Sequence, residues 1–108
     1  MIKINLEAIP NQVIQYDTDD YSYKIRLFLC GDIMSYDLQR DEEYIIRAGK
    51  LNPYGQLIPY SYELKDGNFF ISTNNHSLID YTKFNDTQYL YYATNEQFAE
   101  FISEYNDG

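Results

Sequence analysis

Tyr21-Ser-Tyr-Lys-Ile-Arg-Leu-Phe-Leu29 places Tyr21, Tyr23, Ile25, Leu27 and Leu29 on one side of an extended chain, with Ser22, Lys24 and Arg26 on the other. A period of two marks a β-strand with one face buried. The same alternation returns in Ile2-Ile4-Leu6 and in Met34-Tyr36-Leu38. These runs make the chain a β protein, and the residues between them set where each strand stops.

Strands are predicted over residues 2–6, 12–16, 21–29, 33–39 and 43–47. Asp17-Thr-Asp-Asp20, Cys30-Gly31-Asp32 and Arg40-Asp41-Glu42 supply the short polar connections that make the last four of these a meander. Beyond Gly49 the texture changes. Leu51-Asn-Pro-Tyr-Gly-Gln-Leu-Ile-Pro-Tyr60 holds two prolines and a glycine, which excludes a central strand. An extended crossing segment anchored by Leu51, Leu57 and Ile58 is expected instead. A short strand over 61–64, a turn at Lys65-Asp-Gly-Asn68, a strand over 68–73, a polar loop over 74–83 and an aromatic strand over 87–93 follow.

Near the C-terminal end the period changes. Thr94-Asn-Glu-Gln97 has the form of a capping box, and Phe98, Phe101, Ile102 and Tyr105 then share one helical stripe. A helix over about 95–105 is expected to pack on the sheet or on a neighbour. With 108 residues the chain has room for one domain, expected over 1–108. The fold class is therefore all-β and mainly antiparallel, a small barrel or a two-layer sandwich, with one short C-terminal amphipathic helix.

Formal charge is −9, from 8 basic and 17 acidic residues. Phosphate recognition needs clustered Lys and Arg, so neither nucleic acid nor an anionic membrane is expected as a partner. The 13 tyrosines and 6 phenylalanines, with no tryptophan, suit strands and protein interfaces, because a tyrosine ring packs while its hydroxyl stays available. Cys30, the one cysteine, is expected as a buried thiol at a strand end. No charged segment followed by an apolar run opens the sequence, so synthesis and folding in a reducing cytoplasm are expected.

Catalytic chemistry has little to build on. His76 is the one histidine, in a polar loop, so the usual triads and zinc sites lack their parts. Asp17, Asp19 and Asp20 lack the glycine and distant glutamate of a calcium loop. Glu42 and Glu43 are neighbours on a predicted strand and face opposite ways, so they cannot flank one glycosidic bond. No enzyme activity, cofactor or metal is expected.

Read in order, the segments resemble the baseplate plug family of contractile-tailed bacteriophages, known from a cyanophage baseplate. Leu6-Glu-Ala-Ile-Pro-Asn-Gln12, Tyr23-Lys-Ile-Arg-Leu27, Met34-Ser-Tyr-Asp-Leu38 and Ile45-Ile-Arg-Ala-Gly-Lys-Leu-Asn-Pro-Tyr-Gly-Gln-Leu-Ile-Pro-Tyr60 carry the likeness. Gly67-Asn-Phe-Phe70 and Phe84-Asn-Asp-Thr-Gln-Tyr-Leu-Tyr-Tyr92 resemble the closing strands, with Asn85 where a glycine is common. The resemblance implies a virion structural protein in the central hub of the tail baseplate, assembled in the host cytoplasm. It implies several symmetric copies, three expected, that close the tail lumen and dock on hub, spike and tail-tube proteins. The residues available for docking are Pro53, Tyr54, Leu57, Ile58, Pro59 and Tyr60 of the crossing segment, Tyr89 and Tyr91 of the last strand, and Phe101 and Tyr105 of the helix stripe. An acidic surface would also repel DNA phosphates moving down a tube. Two other readings fit the composition: an acidic DNA-mimic inhibitor of a host nucleic-acid enzyme, and a small carbohydrate-binding β module. The acids concentrate in turns, which argues against a DNA-like track. The lack of tryptophan argues against sugar stacking.

Overall fold

The computed structural model describes residues 1–60, 64–74, 77–97 and 99–100. Seven strands account for about half of it: β1 (Ile2–Ile4), β2 (Gln12–Asp17), β3 (Ser22–Cys30), β4 (Ile33–Arg40), β5 (Glu43–Lys50), β6 (Gly67–Ser72) and β7 (Tyr89–Thr94). A 3-10 turn at Tyr81–Lys83 is capped by the Asp80 side chain, which accepts the Thr82 N–H.

β2 to β5 form the expected antiparallel meander in the order β2-β3-β4-β5. Register sets Ile14 opposite Ile25 and Ile25 opposite Leu38, so these apolar residues of β2, β3 and β4 fall on one face. Tyr23, Ile25 and Leu27 of the deciding stretch are fully buried there. The β4–β5 connection has two central residues, Asp41 and Glu42, both with positive φ (51° and 71°). Such a pair follows the strand twist, as type I′ hairpins do, although neither residue is glycine.

The second sheet has the order β1-β7-β6, antiparallel throughout. The first strand is thus completed by the last, with Ile4 opposite Leu90 and Ile2 opposite Tyr92. Tyrosine and phenylalanine rings join the two sheets: Tyr23 meets Phe69 edge-on at 5.1 Å between centroids, and Tyr16 meets Tyr92 at 5.0 Å. Neither sheet shares a strand with the other, so the fold is a two-layer sandwich and not a closed barrel.

The crossing segment is extended as expected. Leu51, Leu57 and Ile58 are buried. Its backbone pairs with the outer edge of β6, Tyr54 N–H donating to the Ile71 carbonyl and Leu57 N–H to the Phe69 carbonyl, both at 2.9 Å. Covering the edge in this way removes a row of unpaired donors and acceptors that would template aggregation.

The structure corrects several expectations. β1 stops at Ile4, two residues short, although Leu6 is still buried. β5 continues to Lys50, because shifts in register opposite Asp37 and Leu38 let the strand bend rather than end. Glu42 lies in the turn and not in a strand. Cys30 is exposed rather than buried. It falls in the outward phase of β3 with Lys24 and Arg26, so the period of two that buries Leu27 turns Cys30 to solvent. The capping box forms as read: Thr94 Oγ1 accepts the Gln97 N–H at 3.2 Å, and Gln97 Oε1 accepts the Thr94 N–H at 3.1 Å. Residues 95–97 are helical. Residues 61–63 of the strand predicted over 61–64, with His76, Phe98, Phe101, Ile102 and Tyr105, lie outside the described residues, and Leu64 is not in a strand.

Candidate docking surface

Adjacent residues in a strand face opposite ways, so Phe69-Phe70 cannot both enter the core. Phe69 does, while Phe70 and Ala93 form a separate buried cluster on the outer side of the β1-β7-β6 sheet. β7 divides likewise: Leu90 and Tyr92 join the main core, and Tyr91 packs against Phe70. A row of rings results. Tyr54 stacks on Phe70 at 6.3 Å with planes 25° apart, and Phe70 stacks on Tyr91 at 5.5 Å and 27°. Tyr91 meets Tyr89 at 6.4 Å, and the Lys3 ammonium sits 4.6 Å from the Tyr89 centroid. The row runs from the crossing segment over β6 and β7 to β1.

The rings are held by their own polar ends. Tyr54 donates its hydroxyl to the Thr73 carbonyl at 2.9 Å, and Tyr89 donates to the Asp86 carbonyl. Tyr54 also has a φ of 61°, a conformation that costs a side-chain-bearing residue roughly 1–2 kcal/mol. Its two hydrogen bonds and the stack on Phe70 offset that strain. Fixed aromatics lose little side-chain entropy on binding, which is why tyrosine suits an interface.

Three of the sequence-based docking residues, Tyr54, Tyr89 and Tyr91, are therefore brought together, all half-buried. Pro53 is half-buried beside them, bridged to Ile71. Pro59 is exposed and Tyr60 keeps 41% of its surface. Leu57 and Ile58 are different. At 2% and 1% exposure they belong to the core and offer no outer surface. Phe101 and Tyr105 lie outside the described residues. Lys3 was missed, and so was Phe70, which is fully buried against Tyr54 and Tyr91 and supports their rings rather than offering surface; the adjacent Phe69 and Phe70 were the signal that one aromatic had to leave the main core.

Several acids gather at one end of the sandwich. Asp17, Asp19, Asp20 and Asp66 line an open cleft of about 360 Å³ with Tyr16 and Tyr92. The Tyr23 hydroxyl donates to Asp66 at 3.0 Å. Burial, with the Asp66 carboxylate adding to it, pushes the Tyr23 hydroxyl up to about 12 and also raises that of Tyr92. Asp41 and Glu42 lie in the neighbouring turn, where Asp41 accepts the Ser22 N–H at 2.9 Å. Such a pole is not a phosphate-like track. Among the described residues no cluster of His, Cys, Asp and Glu could hold a metal, and no helix is long and apolar enough to cross a membrane.

Asn85, the departure from glycine noted above, has a φ of 63°. Glycine and asparagine both tolerate this left-handed conformation, so the substitution keeps the local backbone requirement. No protein of curated function matches the chain. A family model described as cyanophage baseplate Pam3 plug gp18 matches residues 1–96, a span that takes in all seven strands and the start of the helix. The chain belongs to this family of phage baseplate plugs, structural components of the virion tail.

Proposed function

We propose that the chain is a non-catalytic plug that closes the tail lumen in the central hub region of a contractile phage baseplate. It is assembled in the host cytoplasm as several symmetric copies, three expected. Each copy docks on hub, spike and tail-tube proteins through the aromatic row and the adjoining Pro53, Pro59 and Tyr60. The observation that carries this reading is the stacked Tyr54–Phe70–Tyr91 series on an outer sheet face, in a chain whose family is a baseplate plug. Acidic residues at one pole would leave that end repelled by DNA phosphates.

A density map of intact tails tests it. The expected result is three copies filling the distal channel, with Tyr89 and Tyr91 against a neighbouring protein. Tails carrying Tyr89→Ala and Tyr91→Ala together are expected to assemble with the plug depleted. An open channel, or normal infectivity from particles that lack the chain, overturns the reading.

A further inference from the structure

The four ends of the two sheets are not treated alike. β6 is covered by the crossing segment, β1 is three residues long, and β5 is interrupted by two register shifts and by Ala48 at a φ of 52°. All three are recognised ways of blunting an edge. β2 has none of these. It is six residues long, regular in register with β3 from Gln12 to Asp17, and free of proline and lysine.

The pairing shows which groups are left over. Thr18 N–H donates to the Tyr21 carbonyl at 2.8 Å, so bonded pairs recur every second residue at Tyr16, Ile14 and Gln12. The N–H and C=O groups of Val13, Gln15 and Asp17 therefore point away from β3. No hydrogen bond to them occurs among the described residues. Val13 is also 59% exposed.

We infer that the free edge of β2 receives an extended strand from a second protein, with a lysine or arginine at the end that meets the turn at residues 17–20. Main-chain bonds to Val13, Gln15 and Asp17 supply affinity, and a side-chain pocket supplies selectivity, as in strand addition generally. The pocket is the acidic cleft, which opens where β2 runs into Asp17, Asp19 and Asp20. A second copy of this chain does not complement it. Residues 4–23, which hold β2 and its flanks, contain no lysine or arginine, so a second β2 brings no cation to the acidic cleft. The inference rests on the family's association with other baseplate proteins but uses a surface separate from the aromatic row.

The test is a titration of the full-length, isotope-labelled chain with the peptide Thr-Lys-Thr-Val-Thr-Val, and with the same peptide bearing glutamate for lysine. Amide exchange at Val13, Gln15 and Asp17 is expected to slow with the lysine peptide, which binds roughly tenfold more tightly than its glutamate counterpart. Gln15→Pro removes an outward N–H that has no internal partner, so the variant keeps its far-ultraviolet spectrum and loses the response. Unchanged exchange at these amides with millimolar peptide, equal affinity for both peptides, or self-association of the free chain that Gln15→Pro abolishes, overturns the inference. Alanine at Tyr89 and Tyr91 leaves the titration unchanged, so this edge and the aromatic row fail separately.

Discussion

Asn85 donates from Nδ2 to the Leu6 carbonyl at 2.7 Å, tying the segment after β1 to the turn before β7. The residue thus does two things at one position: it accepts a left-handed φ and it holds the chain's first and last strands in register. Asn85→Ala is expected to lower stability by about 2 kcal/mol, from the lost bond and the strained backbone together. Asn85→Gly recovers the conformational part and is expected to cost about 1 kcal/mol. Chemical denaturation of the two variants checks this, and equal losses would remove the left-handed backbone from the explanation.

A carboxylate does comparable work on the other sheet. Asp37 accepts the Ala48 N–H at 2.7 Å and the Arg26 guanidinium at 3.0 Å, where two residues of β5 oppose one of β4. The side chain replaces the ladder bond that the extra residue breaks. Asp37→Ala is expected to cost about 2 kcal/mol, while Asp37→Asn, which keeps an oxygen toward Ala48, costs well under half of that. The exposed Arg26 side is the weaker contribution, so Arg26→Ala is expected to change the denaturation midpoint little.

Tyr36 donates its hydroxyl to the Leu57 carbonyl at 2.8 Å, joining the meander to the crossing segment. Burial, and secondarily Tyr60, raises this hydroxyl to about 12, from 10.0 in the unfolded chain. A raised value means that the folded state holds its proton more tightly. The contribution is complete below pH 10 and is lost as pH climbs toward 12, and Tyr23 adds in the same direction. Stability measured by denaturant between pH 9 and 12 is expected to fall steadily in that window. Tyr36→Phe starts lower by about 1 kcal/mol and falls less steeply. An identical slope for the variant would show that Tyr36 is not a linked group.

The meander was legible in the sequence because β2 and β3 carry a period of two along their length and each connection is short. Even there the rule had to be followed to its end: the alternation that buries Leu27 also exposes Cys30. The other sheet was harder to read. Its three strands are 3, 6 and 6 residues long and come from opposite ends of the chain, so no local pattern announces that Ile4 pairs with Leu90. The aromatic row proposed for docking was half legible. Tyrosine content pointed to Tyr54, Tyr89 and Tyr91, but a proline-rich stretch does not reveal which apolar residues turn inward. Leu57 and Ile58 proved to be the anchors of that segment rather than its surface.

One buried amide side chain holds the second of those anchors, Ile58, in place. Asn68, only 2% exposed, accepts the Ile58 N–H at 2.8 Å and returns a bond to the Ile58 carbonyl at 3.0 Å. One amide side chain thereby satisfies both backbone groups of a buried residue where no strand partner is available. Asn68→Ala leaves the two groups buried and unpaired and is expected to cost about 3 kcal/mol. Asn68→Asp keeps the acceptor but sets a carboxylate oxygen against the Ile58 carbonyl, so its folded state favours the protonated acid. Raising the folded value of that carboxyl makes the variant's deficit smallest at low pH and larger as pH rises past it. Denaturation of the Asp variant at pH 4 and pH 7 measures the difference. A deficit independent of pH would mean that the Ile58 carbonyl does not depend on this amide.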